Sequence, residues 1–283
     1  MWKDETGKLH LYRKDGSGKI ESRMKHPSQV CFENELYTLK NEPLVSTAPI
    51  PDYIENGLAK IDDKAAIVLT KMLIPSLFSE LTMGEKQDWA IYVNSLLHRS
   101  PEKLKVLDAK MRSIIAETLL DIKRLATPET KGTWDVCGKI FKDSNYCQNR
   151  VRTLLLSVIR DNDWINGLLN FKWLVISLDA TVPYRFILTE SPMVIVGEDD
   201  NIGMLALALT PDLLWIALPR TFDDSEDVTD LFKHATMLYN AAQVARKPKF
   251  IISRVELRND GLHNYEKIFV DFVQLAVGAK VTA

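Results

Sequence analysis

The chain has 283 residues, 46% of them apolar, enough to bury a full core in one large domain or two small ones. Its 36 basic and 38 acidic residues nearly cancel, so no global field draws it to nucleic acid or an anionic membrane, and any polyanion contact must be local. Cys31, Cys137 and Cys147 form an odd set without CxxC or Cys/His ligand spacing, which argues against a disulfide framework and a structural zinc site and fits a reducing compartment.

The start Met1-Trp2-Lys3-Asp4-Glu5 is polar and lacks the apolar core of a signal peptide. No later run reaches the roughly 18 apolar residues of a membrane span, so a cytoplasmic protein without a membrane partner is expected. Leu9, Leu11 and Ile20 flank Asp15-Gly16-Ser17-Gly18, whose glycines can close a hairpin. Pro27, Pro43, Pro49 and Pro51 then fix φ and remove donors, which predicts an irregular arm to about residue 56.

From Leu58, the residues Ile61, Ala65, Val68, Leu69 and Met72 fall at helical spacing until Pro75. Thr82-Met83-Gly84-Glu85 has the form of a capping box and opens a helix over Trp89, Val93, Leu96 and Leu97 that ends near Arg99. Ser100-Pro101 supplies an N-cap and a first-turn proline for a long helix carrying Leu104, Leu107, Met111, Ile114, Ile115, Ile122 and Leu125. A fourth runs from about Tyr146, with Val151, Leu154, Leu155, Val158 and Ile159 inward.

After Asn170 the pattern becomes short apolar runs, over 173–178, 184–188, 193–196, 205–209 and 213–218. These read as strands of a sheet buried on both faces. A helix follows, capped near Asp223 to Ser225, with Val228, Leu231, Phe232, Ala235, Leu238, Tyr239 and Ala242 inward. Phe250-Ile251-Ile252 reads as a strand, and Ile268, Phe269, Phe272, Val273 and Leu275 as the face of a last helix. The expected fold class is α+β: an N-terminal β-hairpin and arm (1–56), a central helical bundle (57–170) and a C-terminal buried sheet with packing helices (171–283), forming one compact unit.

Several segments carry a resemblance in their order: Gly7-Lys8-Leu9-His10-Leu11-Tyr12, Glu35-Leu36-Tyr37, Leu97-His98-Arg99-Ser100-Pro101, Phe186-Ile187-Leu188-Thr189-Glu190-Ser191-Pro192, Leu209-Thr210-Pro211, and Asn240 followed by Ala245-Arg246. In these the sequence resembles the uncharacterised family catalogued as domain of unknown function 4238, found mainly in bacteria and their mobile elements. The resemblance implies positions rather than an activity, namely Arg99, Glu190-Ser191-Pro192 and Asn240. Members typically open with a His-x-x-Pro segment that this chain does not show, which implies a start beyond that segment or a dispensable histidine. They more often carry Asp-x-Pro where Glu190-Ser191-Pro192 stands here, a change that keeps the charge on a longer arm.

Glu190 follows an apolar strand, and Pro192 pushes Ser191 out of the α region, so the carboxylate is presented at a strand end, where catalytic groups of α/β folds are common. The plainer reading is a carboxylate that caps the turn and pairs with Arg99 or Arg185. Arg99 closes an amphipathic helix, where a cation stabilises the last carbonyls, and its guanidinium also suits a phosphate or carboxylate clamp. Arg246, Lys247, Lys249, Arg254 and Arg258 make a local basic cluster that either faces a polyanion, a nucleotide or nucleic acid, or protects a solvated strand edge.

Arg258-Asn259-Asp260-Gly261-Leu262-His263 has the Arg-x4-His form of helical HEPN-type ribonucleases, with histidine to move protons and arginine to stabilise a charged phosphorane, although Asp260-Gly261 reads as a turn rather than a helix start. His98 and His234 read as boundary residues of helices, no pair makes a metal site, and no P-loop, GxGxxG or nucleophile elbow is present. No cofactor is indicated. Arg99, Glu190 and Asn240 are expected to meet between bundle and sheet. Two functions fit. One is a hydrolase of a phosphodiester or nucleotide, a toxin-like or defence effector, with Glu190 as acid/base or metal-binding carboxylate, Arg99 and Arg246 stabilising an anion and Asn240 orienting substrate. The other is a non-catalytic binding or sensor module of a defence system, in which those residues form a structural polar network.

Overall fold

The computed structural model describes residues 2–14, 20–30, 35–41, 50–125, 127, 130–178, 185–198, 201–220, 226–246 and 248–254. They show an α+β protein whose order is strands, then a long helical stretch, then strands around one helix. The chain divides into two compact units, Glu33–Val68 with Thr82–Ile165, and Met1–Phe32 with Leu69–Leu81 and Asn166–Ala283.

The first of these units is helical. Helix α1 (Tyr53–Met72) starts five residues before the expected Leu58, because Ile54 extends the buried stripe Leu58, Ile61, Ala65, Val68 and Met72 by one turn. After the single turn α2 (Pro75–Phe78), α3 (Met83–His98) begins at the expected capping box: Glu85 N–H donates to Thr82 Oγ1 (3.2 Å), and Thr82 N–H donates back to Glu85 (2.9 Å). Ser100 Oγ accepts from Lys103 N–H (3.2 Å) at the head of α4 (Pro101–Leu125). Of the inward residues expected on α4 only Leu104 is buried, while Ile114 and Leu125 are 48% and 81% exposed.

Helix α5 (Lys131–Lys142) stands where the sequence reading had no element, and α6 (Ser144–Ile159) follows it. Gly57 of α1 faces α6 so closely that a Cβ there would lie 2.8 Å from Leu156, and the missing side chain sets that approach. The core of the unit joins Leu39, Ile54, Leu58, Ile61, Leu104, Val151, Leu155 and Ile159. Asn94, 1% exposed on α3, donates to the carbonyls of Val158 (2.9 Å) and Ile159 (3.1 Å) and satisfies the end of α6.

Helix α7 (Asn162–Leu169), also unforeseen, leads into the strands. Where one C-terminal sheet was expected there are two, all of whose pairings are antiparallel. The first has the order β3 (Lys172–Ser177), β7 (Leu213–Leu218), β6 (Asn201–Thr210), β5 (Met193–Glu198). The second joins strands far apart in the sequence in the order β2 (Ile20–Lys25), β1 (Leu9–Lys14), β8 (Ile251–Ile252), β4 (Leu188–Thr189). Burial on both faces holds for 205–209 and 214–218, whereas Ile195 and Val196 of the edge strand β5 are exposed.

Helix α8 (Glu226–Ala245) serves both sheets: Ala235 and Tyr239 join the core against β5, β6 and β7, and Ala241 and Val244 join Tyr12, Ile187 and Ile251. Trp2 packs against the first of these cores and donates through Nε1 to Leu209 O (3.3 Å). No helix among the described residues is long and apolar enough to cross a membrane. The expected hairpin loop at 15–18, the cap at 223–225, the helix over 268–275, and Lys247, Arg258 and His263 lie outside the described residues.

Candidate functional site

Of the described part of the run 184–188, expected as a strand, Leu188 alone pairs, together with Thr189, and the backbone at 185–187 stays off the ladders, while residue 184 lies outside the described residues. Between β4 and β5 the chain changes sheets, and Pro192 has no N–H to offer either of them. Buried main-chain groups off the ladders need other partners: Phe186 N–H donates to Pro211 O (2.9 Å), and α8 supplies several more.

Asn240, fully buried, accepts at Oδ1 from Ile187 N–H (3.0 Å) and donates through Nδ2 to Arg185 O (2.8 Å). One turn on, Gln243, also fully buried, accepts at Oε1 from the Thr189 hydroxyl (2.6 Å) and donates through Nε2 to Pro192 O (2.7 Å). Tyr239 donates its hydroxyl to the same Pro192 O (2.7 Å) and accepts from Ala208 N–H (3.3 Å). Burial pushes this hydroxyl's pKa far up, against the Ala208 and Gln243 hydrogen bonds, so it stays a protonated donor. Arg246 turns its guanidinium back over the turn, donating through Nη1 to Ser191 O (3.3 Å) and to Met193 O. Desolvation lowers its pKa while the neighbouring Tyr239 opposes that shift.

Glu190 sits inside this turn. Its Oε1 accepts from Lys249 N–H (2.8 Å), while Oε2 is buried and has no hydrogen-bond partner among the described residues. The arginines considered as its partners are engaged elsewhere: Arg185 Nε pairs with Asp212 Oδ1 (2.6 Å) and Arg99 Nη1 with Asp62 Oδ1 (2.7 Å). Of the basic cluster, Arg246, Lys249 and Arg254 are described and exposed.

Arg99 belongs to the helical unit, where it caps α3 through N–H to Ser95 O (2.9 Å) and lies over the Tyr92 ring, 5.5 Å from its centroid. Its carbonyl accepts from the Tyr37 hydroxyl. Burial raises the Tyr92 pKa, with Arg99 opposing, and lowers that of the adjacent His98, with Lys103 adding to the effect. Glu190, Asn240 and Arg246 belong to the other unit, and the structure brings these three together around one turn.

Two further residues of this turn, Tyr239 and Gln243, were missed as polar participants. Their signal is spacing: Asn240, Gln243 and Arg246 recur every three residues beside the apolar stripe of α8. A second such row went unnoticed on α6. There Asn145 Nδ2 donates to Asn41 O (3.0 Å), Asn149 takes both main-chain groups of Lys40 (2.9 and 2.7 Å), and Arg152 Nε donates to Leu36 O (2.8 Å). Among the described residues no group of three or more His, Cys, Asp or Glu side chains is arranged to hold a metal ion.

One family model, described as Protein of unknown function (DUF4238), matches residues 1–254. The chain belongs to that family. Arg99, Glu190, Asn240 and Arg246 fall within the match, and Arg258 and His263 beyond it. No curated protein and no solved structure matches the chain.

Proposed function

We propose that this family member is a non-catalytic binding or sensor module, acting in the cytoplasm of a bacterium or for a mobile element as part of a defence system. The observation that supports this reading is the commitment of the Asn240 amide. Both its ends hold the main chain of 185–187, so it has little left with which to orient a substrate. Arg246 is bound to two carbonyls and Arg99 to Asp62, and the exposed Arg254 is the described member of the basic cluster that this reading offers to a nucleotide or nucleic acid.

A second reading, a phosphodiester or nucleotide hydrolase, keeps one specific support: Glu190 Oε2 is a buried carboxylate oxygen without a hydrogen-bond partner among the described residues, at a strand end beside Arg246. The deciding measurement is turnover. The full chain is incubated with nucleoside triphosphates, cyclic dinucleotides, single-stranded RNA and duplex DNA, with and without Mg²⁺ or Mn²⁺. Saturable binding that weakens with added salt, without product, is expected. Product formation that Glu190→Gln abolishes in a folded protein would replace the first reading by the second.

A further inference from the structure

Behind α8, on the side facing β5, β6 and β7, lies a cavity of about 40 Å³. Its wall includes Val196, Met204, Ala206, Ala235, Tyr239 and Ala242, and it exposes almost no polar surface. A water molecule needs roughly 10–15 Å³ measured this way, so size does not keep water out. Chemistry does. A buried water needs two to four polar partners, and the one hydroxyl in the wall, that of Tyr239, already donates to Pro192 O and accepts from Ala208 N–H. Ala206, Ala235 and Ala242 leave the space where larger residues of the same pattern would close it. Of the lining residues, Val196 is 37% exposed and Met204, Leu238 and Ala242 are half-buried, so these mark its solvent side.

We propose that this cavity is a binding site for the end of a short unbranched hydrocarbon chain, such as the alkyl tail of an acyl group. The lining rejects any ligand that must form hydrogen bonds at depth, and the volume is too small for a protein helix. Met204 at the rim adapts its shape to chains of slightly different length. Site and ligand both differ from the basic cluster discussed above, so this inference stands or falls separately from that reading.

The test uses the full chain and a series of n-alkanols from 1-butanol to 1-decanol, titrated calorimetrically. Each methylene taken out of water is worth roughly a fourfold gain in affinity. Affinity should climb by about that factor per carbon and then level off once the cavity is full. Ala242→Leu, at a half-buried position, and Ala206→Leu, at the floor, should each weaken the longest alkanol by roughly tenfold or more. Both should also move the plateau to shorter chains. Thermal unfolding identifies whether each variant folds, and Ala242→Leu alone decides if Ala206→Leu does not. No saturable binding up to the solubility limit overturns the proposal, as does affinity that rises without a plateau and ignores a folded filling variant.

Discussion

Helices α6 and α8 solve the same problem in two places, and the solutions differ in how much water they admit. Each runs beside chain whose main-chain groups the ladders leave partly unpaired, and each answers them with a row of amides ending in an arginine: Asn145, Asn149 and Arg152 for residues 36–41, Asn240, Gln243 and Arg246 for residues 185, 187 and 191–193, on either side of β4. Asn149 and Arg152 of the α6 row are buried, as are Asn240 and Gln243 of the α8 row, and on α8 the held residues Phe186 and Ile187 are buried too. On α6 the held segment is wetter, since Lys40 and Asn41 are exposed. A side-chain-to-backbone hydrogen bond matters most where solvent cannot replace it.

That comparison can be broken most directly at its dry end. Asn240→Ala orphans the N–H of Ile187 and the carbonyl of Arg185, and each buried unsatisfied group costs roughly 1–3 kcal/mol. A loss of about 2–6 kcal/mol in denaturant unfolding is expected. The matching change on α6, Asn149→Ala, also removes two hydrogen bonds, both to Lys40, but water reaches that residue. About 1–2 kcal/mol should be lost there, and equal losses for the two variants would refute the distinction between dry and wet held segments.

Glu190→Gln sharpens the contrast within the α8 turn. Glutamine keeps an acceptor for Lys249 N–H, and no described cation is left unpaired, so stability should stay within about 0.5 kcal/mol of wild type. A fall of roughly 3–5 kcal/mol would reveal a buried cationic partner after all. The smallest effect is expected at His98 of the α3 terminus. Its pKa is held below the usual value by burial, with Lys103 contributing, so the unfolded chain takes up the proton first as pH falls. The stability tied to neutral His98 is therefore complete above about pH 6.5 and is lost as pH falls through the folded-state pKa. His98→Gln should flatten that part of a melting-temperature profile against pH.

The sequence shows local signals well: the capping box at Thr82, the Ser100-Pro101 start of α4, the hairpin, and the apolar runs of β5 to β7 all lie where periodicity and turn chemistry place them. Helix α5 escaped notice because Gly132 and Gly138 dilute a real stripe of Trp134, Cys137 and Phe141, and α7 because eight residues barely complete two turns. Pairing is the harder matter. Nothing in the dipeptide Ile251-Ile252 reveals that it sits between β1 and β4, and hence that the C-terminal strands divide into two sheets. At the candidate site the family resemblance pointed to Asn240 and Glu190, but residue type alone does not tell an amide that holds substrate from one that holds backbone. Only the partners decide it.

The placement of β8 also dictates an order of events during synthesis. Tyr12 pairs with Ile251, a partner made roughly 240 residues later, so this sheet has a far more non-local connection than any helix in the protein. At a ribosomal pace of about 5–20 residues per second, β1 waits some tens of seconds with one edge unpaired. During that interval the newborn hairpin has only β2 beside it, and Tyr12, buried in the finished protein, has no Ile251 to cover it. This makes the amino-terminal hairpin the segment left longest without its full pairing, and the arrival of residues 251–252 the event that completes it.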